Sequence, residues 1–219
     1  MPKSERTMHH EYFEYVEDAV HKYGSRTFVL IQVGAFFEVY GYKPLDSEEN
    51  MSNCDIEKYS SICNLNVSDK TTIDLFDKHE NAVMKRRIMM AGFRDFTLDK
   101  YLTKLTDAGY TVLVYTQEKI GKDIIRKLDQ IYSPGTYVSY DTDVGTKLTN
   151  NLMCIWTERF KMRNSRDIMV CGCAVINVFT GEVHTFQYEQ TYYMNISTFD
   201  ELERFVSIHV PSEVIFIHD

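Results

Sequence analysis

Apolar residues recur at helical spacing over residues 4–23, where Tyr12, Val16, Ala19, Val20 and Tyr23 share one face. Ser4 is a cap candidate, Thr7 is a second, and Gly24 supplies the stop. The period then changes. The run TFVLIQV at 27–33 is short, apolar and rich in β-branched residues, which predicts a strand. Gly34 interrupts it, and FFEVY at 36–40 predicts a second strand closing at Gly41. A glycine between two strand-like runs implies a tight turn or a close backbone approach. Residues 42–80 are polar and weakly periodic, so loop and short helices are expected there. A third strand is predicted over 86–92, ending at Gly92. Residues 97–108 form an amphipathic helix pattern: Thr97 caps it, Leu98, Tyr101, Leu102 and Leu105 line one face, and Gly109 ends it. With YTVLVYT at 110–116, the order strand, helix, strand suits an α/β layer.

The second part of the chain begins after a strand-like stretch within 121–139 and the turn signal Ser133-Pro134-Gly135. A domain boundary is expected near 137–146. Residues 148–160 look helical. Residues 169–179 are a strongly apolar strand, and Thr180-Gly181 turns it into an alternating strand over 182–189. A short helix over 199–209 and a strand over 212–219 follow. Two α/β domains are therefore expected, residues 1–138 and residues 139–219. The second stops within a strand and is expected to be truncated.

Net charge changes the picture little. At −8 it argues against a general nucleic-acid coat, because neutralising phosphates supplies most non-specific affinity, but it leaves room for a local basic patch. The five cysteines have no scaffold spacing, the start of the chain has no apolar signal segment, and no run approaches the roughly 18 apolar residues of a membrane helix. A reducing, cytoplasm-like compartment is expected, a viral factory or an organelle included. Cys171 and Cys173 alternate onto one strand face, and no second Cys or His pair stands at zinc spacing, so they read as core thiols rather than ligands. No GxxxxGK[ST] phosphate loop occurs, so no ATP hydrolysis, catalytic residue or cofactor is expected of this chain itself.

The segment VGAFFEVYG at 33–41 resembles the mismatch-reading segment of the MutS family, in which a glycine, a variable or acidic residue, phenylalanine, an aromatic residue and glutamate follow one another. Residues 10–32, 89–93 and 98–117 resemble the rest of the family's recognition domain, and 126–138 its end and the start of the connector. Residues 173–186 and 201–217 resemble its RNase H-like connector domain. The segments stand in the family's order and leave 42–80 as the weak part. Ala35 departs from the acidic residue usual at its position.

The resemblance implies a mixed-sheet mismatch-binding domain followed by the connector. It makes Phe36 a wedge that stacks on a faulty base and Glu38 the group that hydrogen-bonds that base. Two residues apart on a strand, they would share a face, with Phe37 and Val39 turned to the core. A wedge entering from the minor groove senses deformability, because unstacking costs less where pairing is already poor. The glutamate's charge would also penalise intact duplex. Lys85, Arg86, Arg87, Arg94, Lys100 and Lys104 are the candidate phosphate contacts around it.

Mismatched double-stranded DNA is the implied partner. A full-length homodimer, a downstream repair factor at the connector, and ATP with Mg in the parent protein are implied too. A nuclease would need clustered carboxylates, but Asn177 stands where a catalytic acid would be expected, and Glu182 and Asp219 alone make no cluster. The alternative from another class is a protein-interaction module of a MutS relative that no longer reads mismatches. The presence of both Phe36 and Glu38 argues against it.

Overall fold

The computed structural model describes residues 7–44, 55–77, 82–121, 123–138, 149–163 and 165–218. They divide into two compact units, one through Ser133 and one from Pro134 onward.

The first unit begins with helix α1, Met8–Tyr23, capped at Thr7. The Thr7 N–H donates to His10 Nδ1 at 3.1 Å, and His10 Nε2 meets the Asp74 carbonyl at 2.8 Å. Ser4 lies outside the described residues. Strand β1, Thr27–Val33, turns into β2, Phe36–Pro44. Helix α2, Ile56–Cys63, precedes the long pair β3, Ser68–Asp77, and β4, Ala82–Arg94. A single 3-10 turn, Asp95–Thr97, leads into helix α3, Leu98–Asp107. Strands β5, Thr111–Ile120, and β6, Asp123–Tyr132, close the unit.

These strands form one sheet in the order β3-β4-β2-β1-β5-β6. The β1–β5 pair is parallel and the other pairs are antiparallel, so the sheet is mixed. Helix α1 covers one face: Tyr12 packs edge-on against Tyr40, Phe13 against Tyr42, and Tyr15 stacks on Tyr115. The Tyr12 hydroxyl donates to the Val29 carbonyl at 3.2 Å, which removes the one polar cost of burying that ring. Helices α2 and α3 cover the other face, with Tyr59 against Phe28 and Tyr101 stacked on Phe93. Leu30, Val39, Ala91, Leu102, Leu105 and Val112 are wholly buried in this layered core.

The expected loop over 42–80 holds the short helix α2, but it also holds β3 and the end of β2. Strand β3 escapes the apolar pattern because it is an edge strand: Asp69, Thr71, Thr72 and Asp74 occupy positions where only one neighbour exists and charge guards the free edge. Strand β4 likewise runs further than the apolar run 86–92.

The second unit has strands β7, Asn151–Phe160, β8, Ile168–Asn177, β9, Val183–Thr191, and β10, Glu213–His218. Between β9 and β10 lies helix α4, Asp200–His209. Strand order is β10-β7-β8-β9, with β10 parallel to β7 and the other pairs antiparallel. The helical reading of 148–160 is therefore overturned. In β7, Met153, Ile155 and Thr157 are buried while Trp156 is exposed, a period of two. A short apolar run fits both periods, and pairing with β8 along its whole length decides it. Met153, Ile155, Cys171, Cys173 and Val175 form the core, packed by Leu202, Phe205 and Val206 of α4. Both cysteines are buried, with burial as the main cause that raises the two thiols, Cys173 to about 12.

The turn Pro134–Thr136 is tied to this unit. The Gly135 N–H donates to Glu213 Oε2 at 2.9 Å, and Asn150 Nδ2 donates to the Gly135 carbonyl at 3.2 Å. A Cβ on Gly135 would sit 2.7 Å from that same carboxylate oxygen and 2.8 Å from Glu213 Cβ, so a side chain there would push Glu213 away. Among the described residues no helix is long and apolar enough to cross a membrane, and no group of three His, Cys, Asp or Glu could hold a metal ion.

Candidate nucleic-acid interface

The candidate site lies where β1 turns into β2. Val33 pairs with Phe36, leaving Gly34 and Ala35 as a two-residue hairpin turn. Gly34 has φ +60°, and glycine at the first turn position is what a type II′ hairpin favours. The turn is braced from both sides. The Gly34 N–H donates to Gln117 Oε1 at 3.1 Å, and the Asp95 N–H donates to the Ala35 carbonyl at 3.0 Å. Ala35 thus holds its place through its backbone, which an acidic side chain there is not needed to do.

Alternation then divides the two phenylalanines. Phe37 is buried against Phe93, whereas Phe36 is 42% exposed. Arg94 pairs with Phe36 across β4, and its guanidinium lies 5.7 Å from the centre of the Phe36 ring. A large exposed aromatic beside a cation can stack on a base and meet a phosphate or a base edge.

Glu38 shares the Phe36 face, as alternation requires, but it is only 6% exposed. Its carboxylate accepts the Tyr40 hydroxyl, and the Lys70 ammonium lies 3.1 Å from Oε2 and 3.3 Å from Oε1. Gly92 stands directly opposite on β4, where a Cβ would come within 2.7 Å of the Phe37 carbonyl oxygen and 3.2 Å of Glu38 Cγ. His9 of α1 packs edge-on against Tyr40, and its buried Nε2 has no partner among the described residues. Burial, and then the charge of Lys70, lower the His9 pKa against an opposing pull from Glu38, so this imidazole is neutral near pH 7. Burial and the bond to Glu38 push the Tyr40 phenol well up, which keeps it a donor. The cluster is therefore one carboxylate, one ammonium and two neutral rings.

The six basic candidates do not gather around Phe36. Arg94 does. Arg87 and Arg86 lie seven and eight residues back along β4, and Lys85 a further one, which at about 3.3 Å per residue puts them roughly 23–30 Å from it. Arg87 is paired with Asp69 at 3.7 Å, and Arg86 Nη2 meets Met84 Sδ at 3.2 Å. Lys100 and Lys104 lie on α3 by the ring of Tyr101, and Lys104 Nζ also donates to the Cys63 carbonyl at 3.1 Å. The sequence reading missed Lys70 and Tyr40. Tyr40 was legible as a same-face neighbour two residues from Glu38. Lys70 was not, because it lies 32 residues on, in the weakly periodic stretch.

A family model described as MutS domain I matches residues 11–141. A DNA mismatch repair protein mutS homolog of Acanthamoeba polyphaga mimivirus is 26% identical over 214 residues, covering 97% of this chain and 18% of its own length. The DNA mismatch repair protein MutS of Chlorobium limicola is 36% identical over 109 residues, covering 47% of this chain and 12% of its own. A mitochondrial DNA mismatch repair protein mutS homolog of Sarcophyton glaucum is 28% identical over 131 residues, 57% of this chain and 13% of its own. A mixed sheet between helix layers, over this matched stretch, defines a domain I of the MutS type. The chain belongs to the MutS family. It spans less than a fifth of the length of these relatives.

Proposed function

We propose that the chain recognises mismatched or unpaired bases in double-stranded DNA for mismatch repair. Phe36 is the wedge that stacks on the faulty base, and Glu38 hydrogen-bonds that base. The observation that carries this reading is the placement of Phe36: exposed at the hairpin end while its neighbour Phe37 is buried, with the Arg94 guanidinium beside its ring. Arg94 beside its ring is the nearest phosphate contact, and Lys100 is the next candidate along α3. Lys85, Arg86, Arg87 and Lys104 would meet DNA only further along a bound duplex. Stacking a ring into a poorly paired step recovers part of an unstacking cost of a few kcal/mol that intact DNA resists in full.

The second unit is proposed as an RNase H-like connector. Support comes from its topology, a three-stranded antiparallel meander followed by a helix and a strand added parallel beside the first. In the parent protein, taken as a homodimeric clamp using ATP and Mg, it would carry signals from the DNA and dock downstream repair factors. No ATPase chemistry is assigned to this chain.

The test is fluorescence anisotropy at low salt, comparing a duplex with one G·T pair or one unpaired T against its perfect homoduplex. The expected result is tighter binding to the faulty duplex by the wild type and loss of that preference in Phe36→Ala. Binding without discrimination, unchanged by Phe36→Ala, would overturn the reading in favour of a protein-interaction module.

A further inference from the structure

We propose that Lys70 is a specificity-determining positioning residue, whose ammonium fixes the Glu38 carboxylate on the Phe36 face before DNA arrives. The inference rests on the assignment of Phe36 and Glu38 as the mismatch-reading pair.

The register of β3 is the first support. Asp69 pairs with Met89 and Thr71 with Ile88, so Lys70 is the extra residue of a β-bulge. A bulge re-aims a side chain and frees it from the regular alternation. Strand β3 is not a neighbour of β2, so Lys70 must reach diagonally across β4 to meet Glu38. The Lys70 ammonium is thereby brought to the Glu38 carboxylate.

The occupancy of the carboxylate is the second. A carboxylate offers about four acceptor directions. The Tyr40 hydroxyl and the two Lys70 contacts use three, and among the described residues Oε1 has only the longer Lys70 contact. The arrangement holds the group rigidly yet leaves acceptor capacity on one oxygen. Lys70 is 35% exposed and Glu38 8% by side chain, so the ammonium sits between the carboxylate and water. Among the described residues, neutral His9 from α1, its neighbour His10 and Arg126 from β6 also act on this cluster, Arg126 on both His9 and Tyr40. Without Lys70 the carboxylate would be nearly buried with one hydroxyl partner, and an uncompensated charge there is costly enough to turn the side chain out.

A structural ion pair would affect only folding. A phosphate-binding lysine would strengthen both duplexes alike, because phosphate contact carries no sequence or pairing information. A positioning residue changes the ratio between them, and only through Glu38. The experiment is the anisotropy ratio, faulty duplex over homoduplex, for the 219-residue chain as wild type, Phe36→Ala, Lys70→Met, Glu38→Gln and the double variant, with Lys70→Gln as a second substitution should Met fold poorly. Lys70→Met is expected to lose about tenfold of the wild-type preference, the scale of one charge-assisted hydrogen bond. In the Glu38→Gln background the same change is expected to shift the ratio by less than about twofold, because the group it acts through is gone. If wild type discriminates and Phe36→Ala does not, but Lys70→Met and Lys70→Gln keep the full ratio or weaken both duplexes equally, the Lys70 inference falls and the wedge stands. If the wild type shows no preference, the wedge reading falls and takes Lys70 with it.

Discussion

The two units solve the same problem, a twisted sheet that must hide its apolar side, in different ways. The first unit's sheet is covered on both faces, by α1 on one and by α2 and α3 on the other. The second unit's core is the face under α4, while Trp156 and Ile176 on the other face and Ile215 and Ile217 on the edge strand β10 are exposed. The first therefore has an interior deep enough to take a carboxylate, provided that a cation and a hydroxyl come with it. The second buries thiols and aliphatic side chains around a thinner core. A site that must hold an acidic group at fixed geometry belongs in the thicker layer, where its partners can be locked by packing.

The largest effects should come from truncating each core. Leu102→Ala in the first unit and Met153→Ala in the second are each expected to cost about 2–5 kcal/mol. Calorimetry should show each variant lowering one transition and sparing the other. A single transition that moves as one in both variants would mean that the units unfold together and the contrast between them has no thermodynamic content. Next comes Gly92→Ala, expected to cost about 1–3 kcal/mol by pressing a methyl group onto the Phe37 carbonyl and Glu38. It should also disturb the proposed mismatch preference, since the same methyl presses on the Glu38 side chain. A variant as stable as wild type by urea titration would show that β2 and β4 have slack there.

A smaller test compares the two faces of the second sheet. Val175→Thr, on the covered side, is expected to cost about 1–3 kcal/mol by burying a hydroxyl. Ile217→Thr, half exposed on β10, should stay within about 0.5 kcal/mol. Equal losses would mean that the second face is covered in solution.

The smallest effect is one of pH. The His9 pKa is lowered in the folded state, chiefly by burial, so the unfolded chain takes up the proton first as pH falls. Its contribution is intact above the ordinary value of about 6.5 and declines as pH drops below it. Urea midpoints at pH 7.5 and 5.5 should differ less in His9→Asn than in wild type. Identical slopes in the two proteins would remove His9 from the buried cluster.

Helix α3, the turn at Gly34 and the division of labour between Phe36 and Phe37 were legible in the chain, because each depends on local period or on one backbone conformation. Two things were not. Residues 151–160 carry a pattern that helix and strand both satisfy, and β8 on one side and β10 on the other made it a strand. The stretch 68–77 is polar enough to read as loop and became a strand because the free edge of β4 needed a partner.

What the sequence determined by itself is therefore the family, through ordered segments that resemble it, and the alternation that sets Phe36 and Glu38 on one strand face, since spacing is a property of neighbours along the chain. What only the tertiary structure decided is the state of that carboxylate: that it is nearly buried, faces Gly92, and is met by a lysine from a bulge two strands away. Burial and ion pairing depend on which strands lie side by side, and that pairing joins Glu38 to a residue 32 positions distant through a segment with no period to announce it.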